Sequence, residues 1–197
     1  MKLYGTTTSP FVRRVRVVAA EVAAPYELVN TAPDEGQAAL RAVSPIWKVP
    51  VAELGERIIY DSRVIIDWLT TFRGWGEMRP PRDKWREANL VNAIDGALES
   101  GIQLFYLRRE GVDAMALPFG QRQVERMHAV FTWLGAELGT DGFGEGLGLP
   151  ELSLLCALDW MDFREVYPTT RHDDIFGTLR AQHRERPSLA DTRPVAS

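Results

Sequence analysis

The chain has 197 residues, room for one large domain or two small ones, and its 45% apolar and 25% charged content is that of an ordered globular protein rather than a disordered one. A net charge of −4 argues against a general nucleic-acid binder. No apolar run reaches the length of a membrane span and the N-terminus lacks the regions of a signal peptide, so no membrane partner and a cytoplasmic location are expected. The single cysteine, Cys156, leaves no intrachain disulfide, and His128, His172 and His183 lack metal-ligand spacing, so no metal is expected.

Residues 2–5 alternate weakly and read as a strand. Residues 10–23 carry Phe11, Val15, Val18 and Val22 at helical spacing. "YELVN" (26–30) reads as a second strand, and "APDEGQAALRAV" as a short helix. "VPVAEL" and "RIIY" flank a Gly55-Glu56 turn, the pattern of a hairpin. Asp61 and Ser62, both good N-cap residues, then open a third helix ending near residue 72. The order β-α-β-α-β-β-α requires one parallel strand pairing across the first helix and one antiparallel pairing in the hairpin. A mixed sheet covered on both faces is expected.

The texture changes after residue 73. "RGWGEMRPPRD" is rich in Gly, Pro and Arg and reads as a linker. Beyond it no credible strand occurs, only helical patterns near 84–110, 118–138, 150–164 and 171–184. The glycine-rich stretch 139–150 reads as a flexible surface loop. The expected organisation is α/β plus all-α: an α/β domain over 1–73, a linker over 74–83 and an all-helical domain over 84–197.

Three junctions carry the chemistry. Ser9 precedes Pro10 at the start of the first helix, where a hydroxyl can cap the backbone N–H groups or stabilise a bound anion. Val49-Pro50 begins the third strand, where a proline interrupts a ladder, and a cis bond there would turn the Val49 N–H and C=O toward a ligand. Asp61-Ser62 sits at a helix N-terminus, able to cap it, to receive a carboxylate or to accept from an ammonium group.

Taken in order, "SPFVRR", "KVPV" and "YDS" resemble the thioredoxin-like domain of cytosolic glutathione transferases, and "CALDWMDFR" resembles the core helix of their C-terminal domain. The likeness is greatest to small bacterial glutathione transferase-like proteins beginning "TSPFVRK". It implies the glutathione transferase fold, glutathione as co-substrate without a metal, a small electrophilic substrate and a homodimer. It further implies glutathione contacts from Ser9, Phe11, Lys48, Val49, Pro50, Asp61 and Ser62. Val49 would hold the cysteinyl part through its backbone with Pro50 cis; Asp61 and Ser62 would hold the γ-glutamyl end, and Lys48 would lie near the glycyl carboxylate. Ser9 stands where related proteins have a cysteine, and a serine there can donate a hydrogen bond to the glutathione thiolate, lowering the thiol pKa for attack on an electrophile, disulfide or peroxide.

Thr8 is a second hydroxyl candidate, and Tyr4, within the strand, a weaker one. Arg13 is expected to support a carboxylate near the site, with Arg14 and Arg16 solvated. Phe105, Tyr106 and Arg109 can line an acceptor pocket or serve core and interface packing. Cys156, in an apolar helix, is expected to be buried and inert. Two residues depart from the family pattern. Trp47 replaces a small residue, and Gly148 with Glu151 replaces a capping box, a loss of about 1 kcal/mol. These departures motivate the alternative of a non-catalytic glutathione-binding or scaffold protein.

Overall fold

The computed structural model describes residues 1–195. Its elements follow the expected order: β1 (Lys2–Gly5), α1 (Pro10–Glu21), β2 (Glu27–Asn30), α2 (Asp34–Val43), β3 (Val51–Leu54), β4 (Arg57–Tyr60) and α3 (Ser62–Arg73). Five helices complete it: α4 (Lys84–Arg109), α5 (Pro118–Glu137), α6 (Leu149–Arg164), α7 (Asp173–His183) and α8 (Pro187–Ala190). A 3₁₀ turn at Thr169–His172 takes the place of the expected first turn of α7.

The sheet order is β2-β1-β3-β4. β1 runs parallel to β2 and antiparallel to β3, with Tyr4 opposite Val51, and β4 returns antiparallel to β3 with Tyr60 also opposite Val51. Alternation along the strands sends Tyr4 and Val51 to one face, where they meet Leu40 of α2. Leu3 and Ala52, the neighbouring paired positions, are fully buried as well. The sheet is therefore covered on both sides, and α1 packs against α3.

The chain forms two compact units. The first comprises Met1–Met78 together with the segment from Glu185 onward, and the second comprises Arg79–Arg184. The C-terminal segment, expected to lie within the helical domain, is held in the first unit by polar contacts to α1. Arg186 donates from Nε and Nη2 to the Glu21 carboxylate at 2.7 and 2.6 Å, Ser188 donates to the same carboxylate, and Arg13 Nη2 donates to the Leu189 carbonyl at 3.1 Å. The last two residues of the expected helical domain, 196 and 197, lie outside the described residues.

The second unit packs α4 against α5 and α6. α6 is its axis: Leu152, Leu154, Ala157, Leu158 and Met161 are fully buried, and each large side chain there contributes about 1.5–3 kcal/mol. Cys156 lies buried in the same helix. No described helix is long and apolar enough to cross a membrane.

Two expectations about this unit are refined. Gly148 gives up the side-chain cap as expected, but its missing Cβ makes room for Arg79. A Cβ at Gly148 would stand 2.6 Å from the Arg79 guanidinium carbon, and one at Gly144 would stand 2.8 Å from it. The guanidinium placed there bonds Glu87 at 2.8 Å and both oxygens of Glu151 at 3.0 Å, while Glu151 also accepts from the Gly148 N–H at 3.0 Å. Half of the capping interaction thus survives, from the Glu151 side. The glycine-rich stretch is also anchored rather than loose: Phe143 and Leu147 are buried, and the Leu147 carbonyl accepts from Arg79 N at 3.0 Å.

Candidate functional site

The strand register alone gathers the three junctions. β1 ends at Gly5, β3 begins at Val51 beside Tyr4, and β4 ends at Tyr60 beside Val51. These points lie at one end of the strands, so Ser9, Val49-Pro50 and Asp61-Ser62 all flank the sheet along that strand-end edge. The Val49–Pro50 bond is cis.

Ser9 is the N-cap of α1, with extended backbone angles and Oγ accepting from Val12 N at 3.3 Å. A hydroxyl that accepts at its oxygen still has its own hydrogen to donate. Pro10 at the first helical position contributes no N–H that would need a partner. The nearby Thr6 and Thr8 hydroxyls bond each other at 3.3 Å. Tyr4 is committed elsewhere: its hydroxyl donates to Glu53 at 2.7 Å, and this bond together with burial pushes its pKa up to about 12. It stays a neutral phenol at physiological pH.

Asp61 caps α3, its Oδ1 accepting from Arg63 N at 2.8 Å. It has φ +70° with ψ 131°, outside the left-handed helical region that Asp tolerates and disfavoured for a residue with a Cβ. Its carboxylate remains exposed at the sheet edge, with Arg63 Nε at 3.6 Å. Ser62 is the reverse case. It is buried, and its Oγ accepts from Arg14 Nε at 3.0 Å and Nη2 at 2.7 Å. Such charge-assisted bonds fix the hydroxyl in place.

The arginines of α1 thus differ from expectation. Arg14, expected in solvent, is buried and orients Ser62, while Arg13, expected beside a site carboxylate, is buried toward the C-terminal segment. Arg16 donates to the Tyr26 hydroxyl at 3.0 Å. A helix whose apolar face includes two arginines reads as apolar-plus-solvated by spacing, so nothing in the pattern singled out Arg14.

The remaining candidates fall as follows. Phe11 is half-buried with the Arg14 guanidinium 5.1 Å from its ring centre. Lys48 is exposed and Val49 half-buried. Trp47 has φ +51°, is 59% exposed, and carries the Arg41 guanidinium 4.9 Å from its ring. In the second unit, Phe105, Tyr106 and Arg109 lie in the last turns of α4. Phe105 is half-buried against Trp160 at 5.9 Å, whereas Tyr106 and Arg109 are exposed.

Comparison with known proteins identifies relatives of the chain. Two family models match the chain: "Glutathione S-transferase, N-terminal domain" over residues 3–73 and "Glutathione S-transferase, C-terminal domain" over residues 83–191. The uncharacterized GST-like protein YibF of Escherichia coli (strain K12) is 28% identical over an alignment of 181 residues, with 85% of this chain and 85% of that protein covered. A glutathione transferase family member from Pseudomonas fluorescens Pf-5, solved with bound glutathione, is 28% identical with a TM-score of 0.76 over 99% of both chains. A glutathione S-transferase from Methylobacterium radiotolerans, solved in complex with glutathione sulfonate, shares the fold with a TM-score of 0.84 at 24% identity, over 100% of this chain and 95% of the other.

Proposed function

The chain belongs to the glutathione S-transferase family, and from that premise we propose that it binds glutathione at the Ser9 edge of the sheet and activates the thiol for attack on a small electrophile. The observation that supports this reading is the shared strand end: the segments bearing Ser9, Val49–Pro50 and Asp61-Ser62 all leave or enter the sheet there.

Each group has a role its environment supports. The Val49 backbone pairs with the cysteinyl amide of the tripeptide, next to Pro50. The exposed Asp61 carboxylate accepts from the γ-glutamyl ammonium, and the N–H of Ser62 at the start of α3 receives the γ-glutamyl carboxylate, aided by the helix dipole. Lys48 lies near the glycyl carboxylate, and Phe11 borders the thiol. Ser9 donates to the sulfur. Because it bonds the charged form preferentially, it lowers the thiol pKa and raises the thiolate fraction near neutral pH. The protein then contributes positioning, and glutathione supplies the nucleophile. Phe105, Tyr106 and Arg109, within the second unit, are the candidate contacts for the electrophile. In this reading the protein works in the cytoplasm as a homodimer, and a monomer at every concentration in sedimentation overturns that part.

Ser9→Ala tests the mechanism. Turnover of an aryl halide with glutathione falls about tenfold for each unit by which the thiol pKa rises, and the pH–rate profile moves to higher pH, with glutathione affinity little changed. Unaltered turnover removes Ser9 from the mechanism. A disulfide substrate assayed in parallel separates conjugation from glutathione-dependent reduction. The scaffold alternative keeps its motives in Trp47 and the missing Gly148 side-chain cap, the latter now accompanied by the Arg79 contacts.

A further inference from the structure

At the common C-terminal end of α4 and α6, three arginines gather around two aromatic rings. The Arg164 guanidinium lies 4.8 Å from the Phe105 ring centre and 4.6 Å from that of Phe163, and the Arg109 guanidinium lies 5.8 Å from Phe105. Arg108 is accounted for structurally, since it donates to the Arg164 and Glu165 carbonyls and so caps the end of α6. Arg109 and Arg164 have no such explanation. Neither makes a salt bridge among the described residues, although Glu110 and Glu165 are their chain neighbours, and Arg164 Nε is buried with no hydrogen-bond partner.

That arrangement is unfavourable for an empty protein. Burial holds the Arg164 pKa below its ordinary value, and the charges of Arg109 and Arg108 push the same way. Stacking on Phe105 covers the guanidinium faces, leaves Arg164 Nε without a partner among the described residues, and leaves the edge of the exposed Arg109 open to a ligand. A planar anion answers both needs: its carboxylate accepts from the guanidinium edges, and its flat body extends along exposed Tyr106, whose ring lies 5.6 Å from Phe105.

We infer that Arg109 and Arg164, stacked on Phe105 beside Tyr106, form a binding site for a planar organic anion of the aryl or conjugated carboxylate class.

Calorimetric titration with 4-nitrobenzoate and with its neutral counterpart 4-nitrobenzamide tests the site without requiring turnover. The carboxylate binds about tenfold or more tightly than the amide, and its affinity weakens at about 0.3 M salt. Arg109→Gln, on an exposed side chain, and Arg164→Gln each reduce nitrobenzoate affinity several-fold without changing amide affinity, and Arg164→Lys restores part of it. Equal affinity for acid and amide, or nitrobenzoate binding unaffected by both glutamine substitutions, overturns the inference. Glutathione titrated in parallel separates the two claims. Nitrobenzoate binding without glutathione binding supports the anion site and overturns the transferase reading. Glutathione binding with no acid–amide difference overturns the anion site alone.

Discussion

Arg79→Met is expected to destabilise the second unit strongly. The Arg79 side chain is 9% exposed, and its partners Glu87 and Glu151 are 8% and 0% exposed. The Glu87 carboxylate also accepts from Arg82 N at 2.8 Å, and the Glu151 carboxylate from Gly148 N at 3.0 Å. Methionine approximates the length of the arginine stem but removes every N–H, leaving two buried carboxylates with no cation between them. Breaking a buried pair in this way costs about 3–5 kcal/mol, because the remaining charge is uncompensated. With Glu151→Gln added, one carboxylate becomes a neutral amide whose oxygen still accepts from Gly148 N, and the double variant recovers part of the loss despite carrying one more mutation. Urea denaturation followed by far-UV circular dichroism reads both. A loss below about 1 kcal/mol in Arg79→Met, or a double variant less stable than the single, refutes the view that Arg79 holds these helix starts together.

Other consequences are narrower. At Trp47, with φ +51° and the side chain mostly in solvent, Trp47→Gly is more stable than Trp47→Ala by about 1 kcal/mol, because only the Cβ opposes that backbone; the opposite order in thermal or urea unfolding contradicts it. The buried His172 is held below its ordinary pKa of 6.5 by burial first and then by the neighbouring His128 and Arg171, with Asp174 opposing and Tyr167 bonded to Nε2 at 2.9 Å. The unfolded chain therefore takes up its proton first as pH falls. The contribution of His172 to stability is complete above its unfolded value and declines below it. The urea midpoint drops between about pH 7 and pH 5.5 in the wild type and drops less in His172→Gln; equal slopes contradict the assignment.

The α/β portion was legible because its signals are local. Alternating strands, a Gly55 hairpin and helix starts at Ser9-Pro10 and Asp61 each depend on a few adjacent residues, and the register that unites Ser9, Pro50 and Asp61 follows from the element order. What was not legible depends on distant pairing. Arg14 in α1 bonds Ser62, 48 positions away, and Arg79 in a Gly/Pro-rich stretch bonds Glu151, 72 positions away. In sequence, each is one more arginine of the kind that usually faces solvent. Gly148 is half legible for the same reason: the absence of a capping hydroxyl is visible in sequence, whereas the guanidinium occupying that space is not. The C-terminal segment reads as a continuation of the helical region, whereas contacts such as Glu21–Arg186, Glu21–Ser188 and Arg13–Leu189 hold it in the first unit.

The most direct test of the central claim is calorimetric titration of the protein with glutathione, wild type beside Asp61→Ala. Asp61 is exposed and its cap bond to Arg63 N is local, so the variant loses about 1 kcal/mol of stability and remains folded at room temperature. Saturable binding in the wild type, weakened at least about tenfold in Asp61→Ala, is the predicted result. Absence of binding in the wild type, or equal binding by both proteins, contradicts a glutathione site at this edge of the sheet.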